Sequence, residues 1–431
     1  MIAKFTAMLK NKDIRKRILY TLLVLFIFRF GSAITVPGVN VSDLVQGIGD
    51  NTLFAMISLL GGGGLEQFSV FALGVTPYIT ASIIIQLLSM DVIPHLTELS
   101  KAGANGRKTL DKYTRYLAVV FAFVQSFSLV YGFSKAYTGL IVGGVTISKI
   151  LYIATIFAAG SMFLVWIGDQ ISMKGIGNGI SMVIMAGIVG RMPQQFSSAW
   201  SSLISGESAP SYGAWLFAAY ILIYLLIIIF VTLINTAERR IPIQYTSSSI
   251  SLSKPSEANY LPLKVNSASV IPVIFASSLM MAPIQIASFF PSNDFIKEMQ
   301  KWLGLQTWYS LVIYVLLILF FTFFYTKMQI NPEKVAENLG KSGSYIPSVR
   351  PGSETKDYIN RVLSRITVLG SVALAFIAVM PHVMPLIWPD LPSSMALGGT
   401  GMIIVVGVAI ETVRQVQGLI TQKSYKKYYE D

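Results

Sequence analysis

Ten long apolar stretches divide this chain of 431 residues. Each is close to the roughly 20 apolar residues that an α-helix needs to cross the hydrocarbon core of a membrane. Arg29 is the only charged residue in all ten stretches. The sequence therefore predicts an all-α integral membrane protein with about ten transmembrane helices. The predicted spans are Ile18–Val36, Phe68–Met90, Tyr116–Phe133, Ile150–Gly168, Gly175–Gly190, Tyr212–Ala237, Val265–Phe290, Trp302–Thr326, Ile366–Trp388 and Leu391–Ile410.

The composition supports membrane residence, since 53% of the residues are hydrophobic and 13% are charged. A soluble globular protein carries about 25% charged residues. This chain therefore lacks the charge to cover a water-facing surface of its size. Its net charge of +12 would suggest nucleic-acid binding in a soluble protein, but in a membrane protein it is typical of basic cytoplasmic loops.

The positive charges lie mainly on one side of the predicted spans. Ten spans place both termini on the same side, and 27 of the 33 Lys and Arg residues lie there, against five on the other side. Because cytoplasmic loops carry the excess of Lys and Arg, both termini are predicted to be cytoplasmic. The long loops 236–264 and 327–365 fall on this side as well, and loops of this length are usually functional. We expect them to be docking arms for a cytoplasmic partner.

The span pattern also predicts the organisation of the chain. A cytoplasmic amino-terminal segment, residues 1–17, precedes a first five-helix half at residues 18–211. A second five-helix half, residues 212–418, contains both long loops and is followed by a cytoplasmic tail at residues 419–431.

Two pairs of spans share sequence motifs. The second and seventh spans contain VTPYITAS and VIPVIFAS, and the fifth and tenth share glycines at the same spacing. Both pairs are five helices apart, so the two halves must be inverted in the membrane around a central pathway. The shared proline is expected to break a backbone hydrogen bond within each helix. The matched residues are Val75, Pro77, Ile79, Ala81 and Ser82 with Val270, Pro272, Ile274, Ala276 and Ser277, and Gly179, Met182, Ile184 and Gly187 with Gly399, Met402, Ile404 and Gly407.

The repeat positions that can face this pathway are aliphatic, and no acidic residue lies within a predicted span. A carrier coupled to protons or sodium normally needs acidic groups at membrane depth. A ring of aliphatic side chains instead predicts a dry constriction that blocks ions and opens for a large apolar substrate. Ordinary helix packing is the alternative explanation. The candidate ring residues are Val75, Ile79, Ile184, Ile188, Ile274 and Ile404.

Residues 51–66, between the first and second spans, contain an apolar stretch too short to cross a membrane, followed by four glycines. The glycines predict a hinge, and the stretch is expected to fold back into the protein from the outer side as a short helix. A surface loop is the alternative. The candidate residues are Phe54, Met56, Ile57, Leu59, Leu60, Gly61, Gly62, Gly63 and Gly64.

Groups for bond chemistry are scarce. The chain has no Cys, its only two His residues are His95 and His382, and it contains no Walker motif. We therefore expect no metal site, no cofactor and no catalytic centre. A secondary transporter built on an inverted repeat remains the alternative, but it would need buried titratable residues. An intramembrane protease would need a catalytic pair within the spans.

Five motifs, in order along the chain, carry a resemblance to the SecY family of bacterial protein-export channels. The resemblance implies a gated, non-enzymatic channel in the bacterial plasma membrane. Such a channel passes unfolded secretory polypeptides and releases apolar segments laterally into lipid. The motifs are ALGVTPYITASIIIQLL at Ala72–Leu88, GRKTLDKYTRY at Gly106–Tyr116, GIGNGIS at Gly175–Ser181, LPLKVN at Leu261–Asn266 and IPSVRPG at Ile346–Gly352.

The resemblance also implies roles for particular residues. The aliphatic ring becomes the pore ring, and residues 51–66 become the plug that seals the resting channel. The second and seventh spans become a lateral gate. Basic loop residues become docking sites for the SecA motor ATPase and the ribosome, and SecE, SecG, signal sequences and membrane lipids are further implied partners. The gate residues are Pro77, Ser82, Gln86, Pro272, Ser277 and Ser278, and the docking residues are Arg350, Arg239, Arg240 and Lys254.

Overall fold

The computed structural model describes residues 11–40, 64–65, 67–90, 92–136, 139–205, 212–245, 260–287, 294–305, 307–387 and 394–430. These ranges contain thirteen α-helices and two small two-stranded sheets. The helices are α1 Lys12–Ser32, α2 Thr76–Leu88, α3 Pro94–Lys101, α4 Gly103–Ala136, α5 Ile147–Lys174, α6 Gly179–Trp200, α7 Gly213–Thr236, α8 Ile271–Ala287, α9 Asp294–Leu303, α10 Trp308–Gln329, α11 Pro332–Lys341, α12 Ser353–Ile387 and α13 Ser394–Glu430. The strands are β1 Glu238–Pro242, β2 Gln244–Tyr245, β3 Tyr260–Lys264 and β4 Ser344–Tyr345.

The ten predicted spans correspond to helices α1, α2, α4, α5, α6, α7, α8, α10, α12 and α13. Within the described ranges, six helices are long and apolar enough to cross a membrane, and α2 and α8 are shorter apolar helices. Together with the sparse sheet structure, this confirms the prediction of an all-α membrane fold. The predicted ends of several helices differ from the observed ends. In particular, α4 and α6 extend well beyond their predicted spans.

The prediction that proline interrupts the second and seventh spans is wrong. Pro77 is the second residue of α2, and Pro272 is the second residue of α8. A proline in the first turn costs no hydrogen bond, because the backbone N–H groups there have no intrahelical acceptor. The apolar residues before each proline form turns, so α2 and α8 have only 13 and 17 residues.

The two halves repeat the same packing. In the first half, α4 packs on α2 and α5, and α5 packs on α6. In the second half, α10 packs on α8 and α12, and α12 packs on α13. The halves then meet through the repeat-related pairs, α2 with α8 and α6 with α13. This arrangement confirms the inverted repeat and places a pathway between these four helices.

The bundle has two distinct ends. At the end where α1 begins, here called the amino-terminal face, Ile14 packs with Ile176 and Val416. The β-strands lie at this face, because β1 follows α7 and pairs with β3 just before α8. At the opposite face, the segment after α1 pairs with the segment before α2 through the bridge between Thr35 and Ser69.

Exposed aromatic side chains form a belt along part of the opposite face. They lie at the end of α6 and near the starts of α7 and α10, and each is more than a third exposed. Tyr and Trp favour the level of the lipid headgroups, where the ring is half buried and the polar tip is wet. The belt therefore marks one membrane–water boundary. Its members are Trp200, Tyr212, Trp215, Trp302, Trp308 and Tyr309.

Candidate functional site

The six candidate ring residues lie in one buried hydrophobic cluster at the contact between the two halves. Val75 caps α2 and Ile79 lies one turn later, while Ile184 and Ile188 occupy one face of α6. The remaining two, Ile274 on α8 and Ile404 on α13, come from the second half. None of the six is more than 6% exposed. Four helices thus bring aliphatic side chains from distant parts of the chain to one place.

The cluster adds two residues that the sequence prediction omitted. Val270 and Val408 are each 2% exposed and belong to the same cluster. Val270 is the repeat partner of Val75, and Val408 is the repeat partner of Ile188. Completing the repeat by symmetry would have identified both from the sequence.

Backbone geometry follows the same symmetry. The N–H of Ile79 donates to the Val75 carbonyl at 3.1 Å, and the N–H of Ile274 donates to the Val270 carbonyl at 3.3 Å. Each ring isoleucine is therefore held one turn above a buried valine at the start of its helix. A lining built this way presents methyl groups and no hydrogen-bonding side chain.

Eight of the nine plug candidates, Phe54 through Gly63, lie outside the described residues. The ninth, Gly64, is described, and its carbonyl accepts a hydrogen bond from the Ser69 N–H at 2.8 Å. A side chain at Gly64 would collide with the Ser69 hydroxyl and the Phe71 carbonyl. The end of this segment is therefore fitted closely against the turn that leads into α2.

The gate candidates on α2 and α8 differ in their polar contacts. Gln86 donates to the Ser82 hydroxyl at 2.9 Å, one turn apart on α2. The Ser277 hydroxyl donates to the Ile274 carbonyl at 2.9 Å. Ser278 is 1% exposed, and its hydroxyl has no partner among the described residues. Gln125 on α4, which packs on both α2 and α8, is 4% exposed and likewise leaves its Oε1 without a described partner.

A cavity of about 1180 Å³ opens beside α2 at the amino-terminal face. It is lined by Ser82 and Gln86 on α2, by Met90 just after that helix, and by Tyr325 and Met328 on α10. The repeat partners of α2 and α10 are α8 and α4, and these two helices pack against each other. The cavity therefore separates α2 from α10, where the repeat would otherwise bring them together.

Basic side chains surround the polar part of this cavity. They come from α3, α4 and the segment around the end of α10, and Asp111 is the acidic residue among the lining side chains. The cavity entrance is therefore positively charged. Its basic residues are Lys101, Arg107, Lys327 and Lys334.

The two long loops at the amino-terminal face form one unit. Strand β2 of the first loop pairs with β4 of the second, and the Tyr345 hydroxyl donates to Gln244 Oε1 at 3.0 Å. Below the strands, an apolar cluster joins residues of both loops with α12. The cluster contains Ile241, Leu263, Leu339, Ile346, Ile359 and Ile366.

The four predicted docking residues have different surroundings. Arg240 pairs with Glu238 at 2.8 Å and stacks over the Tyr260 ring at 4.6 Å, and the hydrogen bond with Glu238 raises the pKa of the Arg240 guanidinium. Arg350 is 88% exposed and lies 3.9 Å from Glu354. Arg239 is exposed on β1, and Lys254 lies outside the described residues. Arg350 is thus the more loosely held of the two arginines that have acidic neighbours.

The sequence model of the SecY family matches residues 69–413. This chain belongs to the SecY family. It is 44% identical over 423 residues to protein translocase subunit SecY 1 of Lactobacillus kefiranofaciens, covering 96% of this chain and 97% of that protein. It is 41% identical to protein translocase subunit SecY of Staphylococcus carnosus, covering 99% of both chains.

Solved structures agree on the fold. One, described as "The structure of a protein conducting channel", superposes with a TM-score of 0.68 at 18% identity and covers 95% of this chain and 93% of that chain. Another, "Sec61 in the Canine ribosome-channel complex from the endoplasmic reticulum", gives a TM-score of 0.65 at 18% identity, with the same coverage. As a SecY-family protein, the chain is a protein translocase subunit of the channel type.

Among the described residues, no group of three or more His, Cys, Asp and Glu side chains is placed to hold a metal ion. At the interface of its two halves, the fold builds the aliphatic cluster and the adjoining cavity.

Proposed function

We propose that unfolded secretory polypeptides cross the membrane through the aliphatic cluster, with Val75, Ile79, Ile184, Ile188, Ile274 and Ile404 as the pore ring. One observation carries this proposal. Residues from four helices, two in each inverted half, converge in a single buried cluster at the interface of the halves. Inverted repeats place a central pathway at this interface.

The chemistry of the ring suits a seal that a polypeptide can open. Water that enters an aliphatic constriction gains no hydrogen bonds, so ions would have to lose their hydration to pass. A chain pushed from one side displaces packed methyl groups without breaking polar bonds. No ring residue can titrate, which counts against a secondary transporter coupled to protons.

The cleft between α2 and α10 supports a lateral gate. The helices α2 and α8 pack on each other at the junction of the halves, so separating them would open the pathway sideways to lipid. The large cavity already borders α2 at the amino-terminal face. Signal sequences and apolar segments of substrates would enter the bilayer along this line.

Docking is assigned to the joined loops at the amino-terminal face. We place this face in the cytoplasm of a bacterium, because the predicted topology assigns 27 of the 33 Lys and Arg residues to the side that carries both termini. The exposed Arg350, with Arg239 and Arg240 on the other loop and with Lys254, which lies outside the described residues, would bind acidic groups of the SecA motor or phosphates of the ribosome. SecE and SecG would cover part of the apolar exterior of α1 and α7, and lipid would cover the rest. The energy for transport would come from these partners, and the chain itself would act without catalysis.

Reconstitution tests the proposal directly. Purified channel with its small subunits in vesicles should take up an unfolded precursor when the motor and ATP are added, and should release little of an enclosed ion before that. A secondary transporter would instead accumulate a small solute along an ion gradient without the motor. Uptake of a solute with no uptake of precursor would contradict the proposal.

A further inference from the structure

The inverted repeat continues one turn past the pore ring and includes a charged residue in each half. Ile188 on α6 is the repeat partner of Val408 on α13, and three residues later Arg191 is the partner of Glu411. Residues three or four apart lie on the same face of a helix. Arg191 and Glu411 therefore follow the faces of α6 and α13 that carry the ring.

The two charged residues lie on opposite sides of the ring. At the amino-terminal face, Ile176, just before α6, packs with Val416, which follows Glu411 on α13. Helix α6 therefore runs away from this face, and α13 runs toward it. Arg191 marks the outer mouth of the ring, and Glu411 marks the inner mouth at the amino-terminal side. Each is about 4.5 Å along its helix from the last aliphatic residue of the cluster.

Glu411 at the inner mouth is accompanied by charges of both signs. It lines a cavity of about 290 Å³ together with Lys264 and Arg414. Lys264 is paired with Glu238 in the ladder between β1 and β3, and it interacts electrostatically with the other three charged groups. Two acidic and two basic groups thus lie together, and their charges balance at the inner mouth.

Arg191 at the outer mouth has a neighbour of the same sign. Arg29 of α1 donates a hydrogen bond to the carbonyl of Gly190, the residue before Arg191. The two guanidinium groups are close enough to repel each other. Apolar walls of low dielectric focus the field of a charge at their rim. Arg191 and Arg29 therefore bias the outer mouth toward a positive potential.

We propose that Arg191 is a specificity-determining residue that favours acidic over basic segments of a polypeptide as they leave the pore ring. Pores that select anions carry Arg or Lys side chains at their constriction. An acidic side chain that has lost part of its hydration in the ring meets an opposite charge at Arg191, whereas a basic side chain meets a like charge. Acidic segments therefore pass faster, and basic segments pause before the ring. This inference rests on the proposed pore ring.

A purely structural role for Arg191 leads to a different expectation. If its side chain only holds α6 in place, its charge should not influence what passes the ring. The chain has no native cysteine, so Arg191→Cys can receive a positive, neutral or negative charge from methanethiosulfonate reagents. Because the same folded variant is compared with three reagents, a folding defect cannot mimic a charge effect.

Ion selectivity is the first measurement. Arg191→Cys is combined with Ile404→Asn, which is expected to open the ring to ions, and the modified channels are placed in planar bilayers under a KCl gradient. The positive reagent should raise the permeability ratio of chloride to potassium about tenfold over the neutral reagent, the lower end of the effect of a charged cleft on its counter-ions. The negative reagent should lower this ratio.

Lys301→Cys in the same Ile404→Asn channel is the matched control. Lys301 is an exposed residue of α9, near the aromatic belt of the opposite face and outside the ring cluster. The permeability ratio of this variant should be the same with all three reagents.

Precursor transport through the intact ring is the second measurement. Vesicles containing the modified Arg191→Cys channel take up two precursors that differ in one segment, which carries glutamates in one and lysines in the other. The positive reagent should favour uptake of the glutamate precursor, and the negative reagent should favour the lysine precursor. Arg191→Lys keeps the charge without modification and should behave like the parent channel.

The outcomes separate this inference from the pore ring itself. If Ile404→Asn channels leak ions and their selectivity is the same with all three reagents, the ring stands and the role of Arg191 is wrong. A ratio of glutamate to lysine precursor uptake that no reagent changes would overturn it as well. If Ile404→Asn is as tight to ions as the parent channel, the proposed ring fails, and the inference fails with it.

Discussion

Arg29, the charged residue within the predicted spans, donates a hydrogen bond from Nη2 to the carbonyl of Gly190 at 3.1 Å. Twelve residues earlier on α1, Arg17 reaches the carbonyl of Gly175. The two bonds hold α1 parallel to α6 over most of its length. They show why α1, which exposes large apolar side chains elsewhere, carries an arginine here.

The first prediction concerns this contact. Arg29→Leu should lower the free energy of unfolding by about 1 kcal/mol, a typical value for one hydrogen bond between membrane helices. Gly190→Ala should have a similar effect, because its new methyl group would lie 3.0 Å from the Arg29 Cζ. Thermal unfolding of the purified protein in detergent measures both. Lys301→Ala, a change at an exposed residue of α9, is the control, and equal stability of all three variants would contradict the contact.

The second prediction concerns the pore ring. Ile274→Asn or Ile404→Asn should destabilise the closed channel by about 1–3 kcal/mol, because each puts a poorly paired amide into an aliphatic cluster. Ion leak should rise, and precursors with defective signal sequences should be exported. Planar-bilayer conductance and export assays measure the two effects. Ile→Leu at the same positions should do little, and tight, selective Asn variants would show that these residues are ordinary packing.

The third prediction concerns the plug. Deleting residues 51–66 should leave export working and raise the resting conductance, because the deletion removes the apolar segment that we expect to seal the pore. Conductance of the resting channel in planar bilayers is the measurement. Gly64→Ala is a variant with a smaller expected effect, since its methyl group would collide with the turn before α2. A deletion variant as tight as the parent channel would remove the plug assignment.

The fourth prediction concerns docking. Arg350→Glu should impair transport that depends on the motor or the ribosome without affecting folding, because Arg350 is exposed and only loosely paired. Arg350→Lys should restore part of the activity, since lysine keeps the charge and loses the bidentate geometry. Precursor uptake by vesicles is the measurement. Lys341→Glu reverses a charge in the same loop, where Lys341 already pairs with Glu337 at 2.7 Å. Equal losses in both variants would indicate a general charge effect.

The fifth prediction concerns pH and Lys264 at the amino-terminal face. Burial, and next the charge of Arg414, lower the pKa of the Lys264 ammonium below 10.5. The unfolded chain then binds more protons than the folded one between the lowered pKa and 10.5, so stability should rise with pH across that window. Lys264→Met should flatten this part of the pH profile. Unfolding at several alkaline pH values measures it, and an unchanged slope in the variant would contradict the prediction.

Much of the site was predictable because the two halves of the chain carry similar side chains at matching positions. Val75 and Ile79 have the same spacing as Val270 and Ile274. The lengths of the apolar stretches predicted the membrane spans. The starts of α2 and α8 were misplaced, because the apolar residues before Pro77 and Pro272 look helical by composition while their backbone forms turns. The buried hydrogen bond from the Ser161 hydroxyl to the Gly74 carbonyl could not be predicted either. Ser161 and Gly74 are 87 positions apart, and a single buried serine gives no signal in a sequence.

The joining of the two loops was out of reach for the same reason. Each of β2 and β4 has only two residues, too few for a strand pattern, and they meet only because α7 and α10 end, and α12 begins, at one face. Gln125 gave no signal either, since one glutamine in an apolar span is compatible with many environments.

The pairing of β2 with β4 has a mechanical consequence. One loop continues through β3 into α8, and the other continues into α12. A partner that binds either loop would therefore exert force on both loops. A force applied to either loop at the amino-terminal face would then reach both α8 and α12 in the second half. A partner docked on these loops would act on both helices without entering the pathway. Weakening the hydrogen bond between Tyr345 and Gln244 would reduce this coupling.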